Sequence, residues 1–233
     1  MRAISRLSAL LLLLICSAAQ ADIGVAMKAI ERGHYATAER ALRKAAGKGD
    51  LRAQNNLGYL HEHGLGVVQS YSDAYNWYNR AAEAGLPEAQ YNLATLYHHG
   101  RGISRNHDVA YKWFSSAATA GYTEAEYMLG ESYRSGLGVK KDGAVALSWY
   151  LKSARKGHPA AQLMAASVYL SGEGWRKEPA KALVWAEIAR FNGEPQATAL
   201  LDKASKGLGQ EKKSEAMELA ALCLRSAYQD CPE

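Results

Sequence analysis

The side chains able to do chemistry fall into three small sets. Ser153-Ala154-Arg155-Lys156 places a hydroxyl three residues before an amine, the S-x-x-K spacing in which a lysine helps a serine act as nucleophile. His61, His63, His98 and His99 supply imidazoles, the commonest metal ligands. Cys16, Cys223 and Cys231 supply thiols for a disulfide or a lipid anchor. The sequence contains no paired carboxylates for acid–base work, no phosphate-cradling loop and no nucleophile elbow.

A period decides which of these residues are chemistry and which are packing. Gly49, Gly85, Gly121, Gly157 and Gly193 recur every 36 residues. Gly64, Gly100, Gly136 and Gly172 keep the same step, as do Gly66, Gly102, Gly138 and Gly174. Ala53, Ala89, Ala125, Ala161 and Ala197 share it, and so do Trp77, Trp113, Trp149 and Trp185. A fixed period of this length marks a solenoid array. In that register Ser153 stands where Ala81 and Ala117 stand, so it reads as a small packing residue, and no S-D-N or K-T-G companion accompanies it. His63 and His99 are equivalent residues of successive copies. Packed helices lie about 8–10 Å apart, too far for two such residues to share an ion unaided. There is no H-E-x-x-H, and a histidine at a helix C-terminus is favoured by the dipole alone. The expectation is no catalytic residue, no metal and no cofactor.

Each copy reads as two helices, giving an all-α chain. In residues 85–120, Ala89, Leu93, Ala94, Leu96 and Tyr97 fall at helical spacing. Pro87, Pro159 and Pro195 suit a first helical position, where a missing N–H costs nothing. The glycine pair then permits a tight reversal at positive φ. The second helix starts after Ser70, Asn106, Asp142 and Glu178; the first three are good N-caps, and Pro179 supports the fourth boundary. It runs through Tyr111, Trp113, Phe114, Ala117 and Ala118. The small alanines let helices approach, and the tryptophans are expected to fill the core beside them.

This pattern resembles the Sel-one-like repeat, a relative of the tetratricopeptide repeat. Four copies match, at residues 49–84, 85–120, 121–156 and 157–192, with Ala165 and Ala166 replacing the Leu-Gly pair in the fourth. The resemblance implies an α/α superhelical solenoid of antiparallel hairpins whose first helices line a concave face.

The ends are atypical. Residues 1–21 read as an export signal: Arg2 and Arg6, the apolar run Leu7 to Ile15, and Ala19-Gln20-Ala21 before a cleavage site. Cys16 offers lipoprotein processing as a rival, although Ile15 is bulky for it. Cleavage after Ala21 lowers the formal net charge from +5 to +3, a mild surplus with no nucleic-acid footprint, and leaves no further membrane segment. Later basic residues, among them Lys140, Lys141, Lys152 and Arg155, suit solvated surface or an anionic polysaccharide. Residues 22–48 form a shortened, tetratricopeptide-like cap and residues 193–233 a C-terminal hairpin. Its long helix, Glu211 to Tyr228, is expected to bury Met217, Leu219, Ala220, Cys223 and Leu224. Cys223 and Cys231 remain as an even pair in an exported chain, which argues for a disulfide, with two free thiols as the alternative.

What is left is surface. If Ala53, Leu57, Gly58 and His61 face inward, the opposite stripe of the first helices faces the groove. It carries Asn55, Tyr59 and Glu62, then Tyr91, Thr95 and His98. It continues with Tyr127, Glu131 and Arg134, then Leu163, Ser167 and Leu170. Core positions repeat and these vary, so they are free of the packing requirement. The expectation is a non-enzymatic periplasmic or secreted adaptor that binds an envelope protein through this stripe. Two alternatives stay open: a cell-wall-acting hydrolase, β-lactamase-like in some relatives whose cysteine-paired repeats this chain lacks, and a carbohydrate-binding module using Tyr91 and Tyr127.

Overall fold

The computed structural model describes residues 22–232. The expected export signal, its cleavage site and Cys16 lie outside them. The described residues form two compact units, 22–106 and 107–232, and every regular element in both is a helix.

The first unit holds α1 (22–31), α2 (Tyr35–Gly47), α3 (Leu51–His63), α4 (Tyr71–Glu83) and α5 (Pro87–His99). The second holds α6 (His107–Thr119), α7 (Thr123–Ser135), α8 (Gly143–Ala154), α9 (Pro159–Ser171), α10 (Pro179–Phe191), α11 (Ala197–Ser205) and α12 (Gln210–Arg225). From α2 to α5 and from α6 to α11 successive helices pack as antiparallel neighbours, and α12 packs on α10.

The boundaries follow local chemistry. Asp50 accepts the N–H of Ala53, Ser70 that of Asp73, and Asp142 those of Ala144 and Val145. Pro87, Pro159 and Pro179 open their helices. Pro195 does not: α11 begins two residues later, at Ala197, because residues 195–196 form a turn. Each of α3, α5, α7 and α9 stops at a left-handed glycine: Gly64, Gly100, Gly136 and Gly172.

The second loop glycine joins one copy to the previous one. A Cβ on Gly66 would lie 2.5 Å from the carbonyl carbon of Tyr35, at the start of α2. Gly102 meets Tyr71, Gly138 meets His107 and Gly174 meets Gly143 in the same way. Each loop therefore rests on the first turn of the preceding second helix, at a distance only glycine allows.

Repeated alanines form the floor of each core: Ala53, Ala89, Ala125 and Ala161 are fully buried. A buried glutamine also recurs beside them. The side-chain amides of Gln54, Gln90 and Gln162 donate to the carbonyls of Ala46, Ala82 and Ala154, tying each first helix to the end of the helix before it. Glu126 holds that position in α7 and has no proton to donate. Lys156 serves instead, reaching Glu126 at 2.7 Å and the Gly121 carbonyl at 2.9 Å.

Two expectations about the core are corrected. Trp77, Trp113 and Trp149 are only half-buried, and the next residue, Tyr78, Phe114 or Tyr150, fills the core. A step of one residue turns a helix by about 100°, enough to move the inward role between adjacent aromatics. Trp185 alone of the four is fully buried. On α12 the inward stripe is Ala216, Ala220 and Cys223, at i, i+4 and i+7, which leaves Met217 exposed.

Candidate interaction surface

In the first unit the expected stripe lies on α3 and α5. Tyr59 is the most open of its residues, 48% exposed, with its ring 4.2 Å from that of His63. Asn55 accepts a hydrogen bond from Asn92 at 2.9 Å, a bridge between equivalent faces of neighbouring copies. Tyr91, Thr95 and His98 are half-buried; the Thr95 hydroxyl donates to the Tyr91 carbonyl, and the His98 ring meets His99 edge-on. Glu62 is not surface. It is 8% exposed, accepting from the Tyr78 hydroxyl at 2.9 Å and from Arg101 at 3.1 Å. Burial, reinforced by the Glu62 charge, pushes the Tyr78 phenol far above its ordinary pKa, so it stays a donor.

In the second unit the stripe lies on α7 and α9. Arg134 grips Glu131 with two hydrogen bonds, 3.2 and 2.7 Å, and the Tyr150 hydroxyl donates to the same carboxylate at 2.5 Å. Burial first, then Glu131, raises the Tyr150 pKa well above the phenol range. Tyr127 stacks on His158, centroids 4.9 Å apart at 21°, so one ring face is already covered. Leu163 is 8% exposed and packs with Ala189 and Ala197, which removes it from the surface. Ser167 and Leu170 are half-buried. The stripe thus has a built-in polar scaffold, and Glu62 and Leu163 leave it because the next helix covers them.

The residues with chemical promise have structural partners. Ser153 is fully buried and donates to the Thr123 carbonyl at 2.9 Å, while Lys156 is held by Glu126 and Gly121. His61 faces Asp73 at 3.8 Å. Among the described residues no cluster of three or more His, Cys, Asp or Glu side chains is placed to hold a metal.

The C-terminal tail folds back as the cysteine spacing requires. Left-handed backbone at Ala227 and Tyr228 reverses the chain, and Cys223 and Cys231 form a disulfide with Cα atoms 4.8 Å apart. Tyr228 then bonds Asn192, whose amide also donates to Gln162.

Sequence reading missed a pair of tyrosine contacts. The hydroxyls of Tyr75 and Tyr97 meet at 3.2 Å in the first unit, and those of Tyr111 and Tyr133 at 2.9 Å in the second. Each hydrogen bond, chiefly, and burial hold the Tyr97 and Tyr111 phenols up at about 12. The signal was present, since both pairs are 22 residues apart in the same register.

Helix pairs joined by glycine loops, with repeated alanine floors, define a helical-hairpin repeat protein. The Sel1 repeat model matches residues 51–86, 87–122, 123–158 and 159–190, and the chain belongs to the Sel1 repeat family. A Sel1 repeat protein from Oxalobacter formigenes is similar in structure, with TM-score 0.69 and 29% identity over 81% of this chain and 79% of that one. So is c5321, a protective antigen of uropathogenic Escherichia coli, with TM-score 0.55 and 27% identity over 83% of this chain and 50% of that one. A sel1 repeat protein from Klebsiella pneumoniae shares the fold at TM-score 0.54 and 23% identity, covering 83% of this chain and 96% of that one. No curated protein matches the sequence. Sel1 repeats generally mediate protein–protein interaction.

Proposed function

We propose that this chain is a non-enzymatic adaptor of the bacterial cell envelope, exported by its first 21 residues, that binds a protein partner through the outward stripe of its first helices. The observation that supports this most is the contrast between floor and stripe. Ala53, Ala89, Ala125 and Ala161 are invariant and fully buried, while Tyr59, Thr95, Glu131 and Ser167 share one register position and are four different residue types. Packing demands the first set and not the second. Tyrosines such as Tyr59 and Tyr91 give large contact area for few frozen torsions, and Arg134 is already held in place by Glu131.

The hydrolase alternative loses its best candidate, because Ser153 and Lys156 are both consumed by packing. The carbohydrate reading loses one ring face of Tyr127 to His158. Affinity capture from an envelope extract tests the reading. The intact chain is expected to retain a protein that Tyr59→Ala, Tyr91→Ala or Arg134→Ala releases at unchanged melting temperature. Capture that none of these changes weakens contradicts it.

A further inference from the structure

One junction in the second unit, between the third and fourth copies, breaks the repeat's own pattern and leaves a space. Tyr75 and Tyr111 reach the tyrosine of the following first helix, Tyr97 and Tyr133. At the next junction Tyr169 is kept, but the position of Tyr75 and Tyr111 is Leu147. Beside Leu147, against α8, lies a cavity of about 370 Å³ walled by Leu147, Leu151, Tyr169 and Trp175. That volume lies within the ~300–1,000 Å³ typical of binding pockets.

Other positions change at the same junction. The loop residue that is Val67, Ile103 and Val139 elsewhere is Trp175 here. It is 43% exposed, and its indole N–H donates to Glu178 at 3.1 Å, which fixes the wall in place. Where earlier copies have Arg80 and Ser116, the third has Lys152; where they have Glu83 and Thr119, it has Arg155. Both cations line the cavity, and among the described residues no carboxylate does. Lys152 stands over the Trp149 ring at 3.8 Å, and Arg155 reaches the Cys231 carbonyl at 3.4 Å. A missing ring, an added indole and Arg155 thus coincide at the junction of the third and fourth copies, where Lys152 supplies a second cation as Arg80 does in the first copy.

We propose that this cavity is a second binding site, which takes an acidic peptide segment by inserting one aromatic side chain beside Trp175 and Tyr169. The apolar walls accept the ring. Lys152 and Arg155 select carboxylates on the flanking residues and orient the peptide along α8. The site is built on the second helix α8, with Tyr169 of α9 and Trp175 outside the stripe, so it stands or falls separately from the stripe on the first helices.

The test is a titration read at the Trp175 indole N–H by NMR, the signal being identified by its loss in Trp175→Phe. The probe is a capped pentapeptide of one phenylalanine with two aspartates on each side. It is expected to move the signal saturably at about millimolar concentration or below. The same peptide with alanine at its centre, or with lysines in place of aspartates, is expected to leave it unmoved. Lys152→Glu, at an exposed position, should weaken binding about tenfold. Leu147→Tyr, the residue that two other copies carry, should fill the cavity and abolish binding. No saturable shift with the aspartate peptide overturns the proposal. So does an equal response to the lysine peptide, or undiminished binding by Lys152→Glu.

Discussion

Tyr78 lies flat against Gly58, and a Cβ built on that glycine would fall 2.6 Å from two of its ring carbons. Gly130 and Tyr150 repeat the arrangement, with the nearest ring carbon again at 2.6 Å. Across the four copies the first position runs Gly58, Ala94, Gly130, Ala166, and the second Tyr78, Phe114, Tyr150, Ala186. The small and large residues are matched: the tyrosines occur only where the first position is glycine.

Gly58→Ala is therefore expected to destabilise by overpacking, by about 1–3 kcal/mol. In a Tyr78→Ala background the same change, which recreates the Ala166 and Ala186 pairing, should cost close to nothing. Urea unfolding of the four proteins in the cycle measures the coupling, expected at about 1 kcal/mol or more. Additive effects would show that the ring and the glycine do not share this space.

The exchange of roles between tryptophan and its neighbour has its own consequence. Tyr150→Ala should cost about 3–5 kcal/mol, since it opens a cavity and strips a buried hydrogen bond from Glu131. Trp149→Ala, at a half-buried position, should cost less than about 2 kcal/mol. Thermal unfolding decides it, and a larger loss for Trp149 would reverse the core assignment.

Gly102 combines two constraints, φ of +70° and the close approach of Tyr71. Gly85 has φ of +90° with open space around it. Gly102→Val should cost at least ~1–3 kcal/mol, and Gly85→Ala about 1 kcal/mol from backbone conformation alone. Equal melting temperatures for the two variants would mean that the loop does not rest on the preceding helix.

His158 caps α9 by accepting the Ala161 N–H on Nδ1 at 3.1 Å, which requires the neutral ring. Burial lowers its pKa below the ordinary 6.5, against the opposing pull of Glu124 and Glu194. The unfolded chain therefore takes up this proton first as pH falls. The stability contributed by His158 is complete above about pH 6.5 and is lost as pH drops through the lower, folded value. His158→Asp, which copies the Asp50 cap, should remove this dependence. Melting temperatures of the two proteins, compared from about pH 8 down to about pH 5, should diverge at the acid end; a constant difference would exclude His158 as the titrating group.

Much of this was legible in the sequence because a repeat shows its packing constraints several times over. The glycine pairs gave the loops, and Asp50, Ser70 and Asp142 cap helices as side chains of their kind do. The period alone could not say whether Trp149 or Tyr150 faces inward, since both belong to the same repeating motif. Comparing copies could have: the Gly58 and Tyr78 series vary together, and no tryptophan series does. Glu62 and Leu163 were misplaced because each is covered by contacts made in one copy alone, with Arg101 and Tyr78 in one case and with Ala189 and Ala197 in the other. The link from Tyr228 through Asn192 to Gln162 is likewise made once. Single contacts leave no period to read.

The central claim is that the outward stripe of the first helices is the binding face. Site-specific photo-crosslinking in the native cell tests it most directly, with the reactive side chain placed at Tyr59 and Ser167 on first helices, and at the exposed Asn76 and Ser116 on second helices. The account predicts an adduct with the same envelope protein from Tyr59 and Ser167, and none from Asn76 or Ser116. Adducts confined to the second-helix positions, or equal at all four, would contradict it.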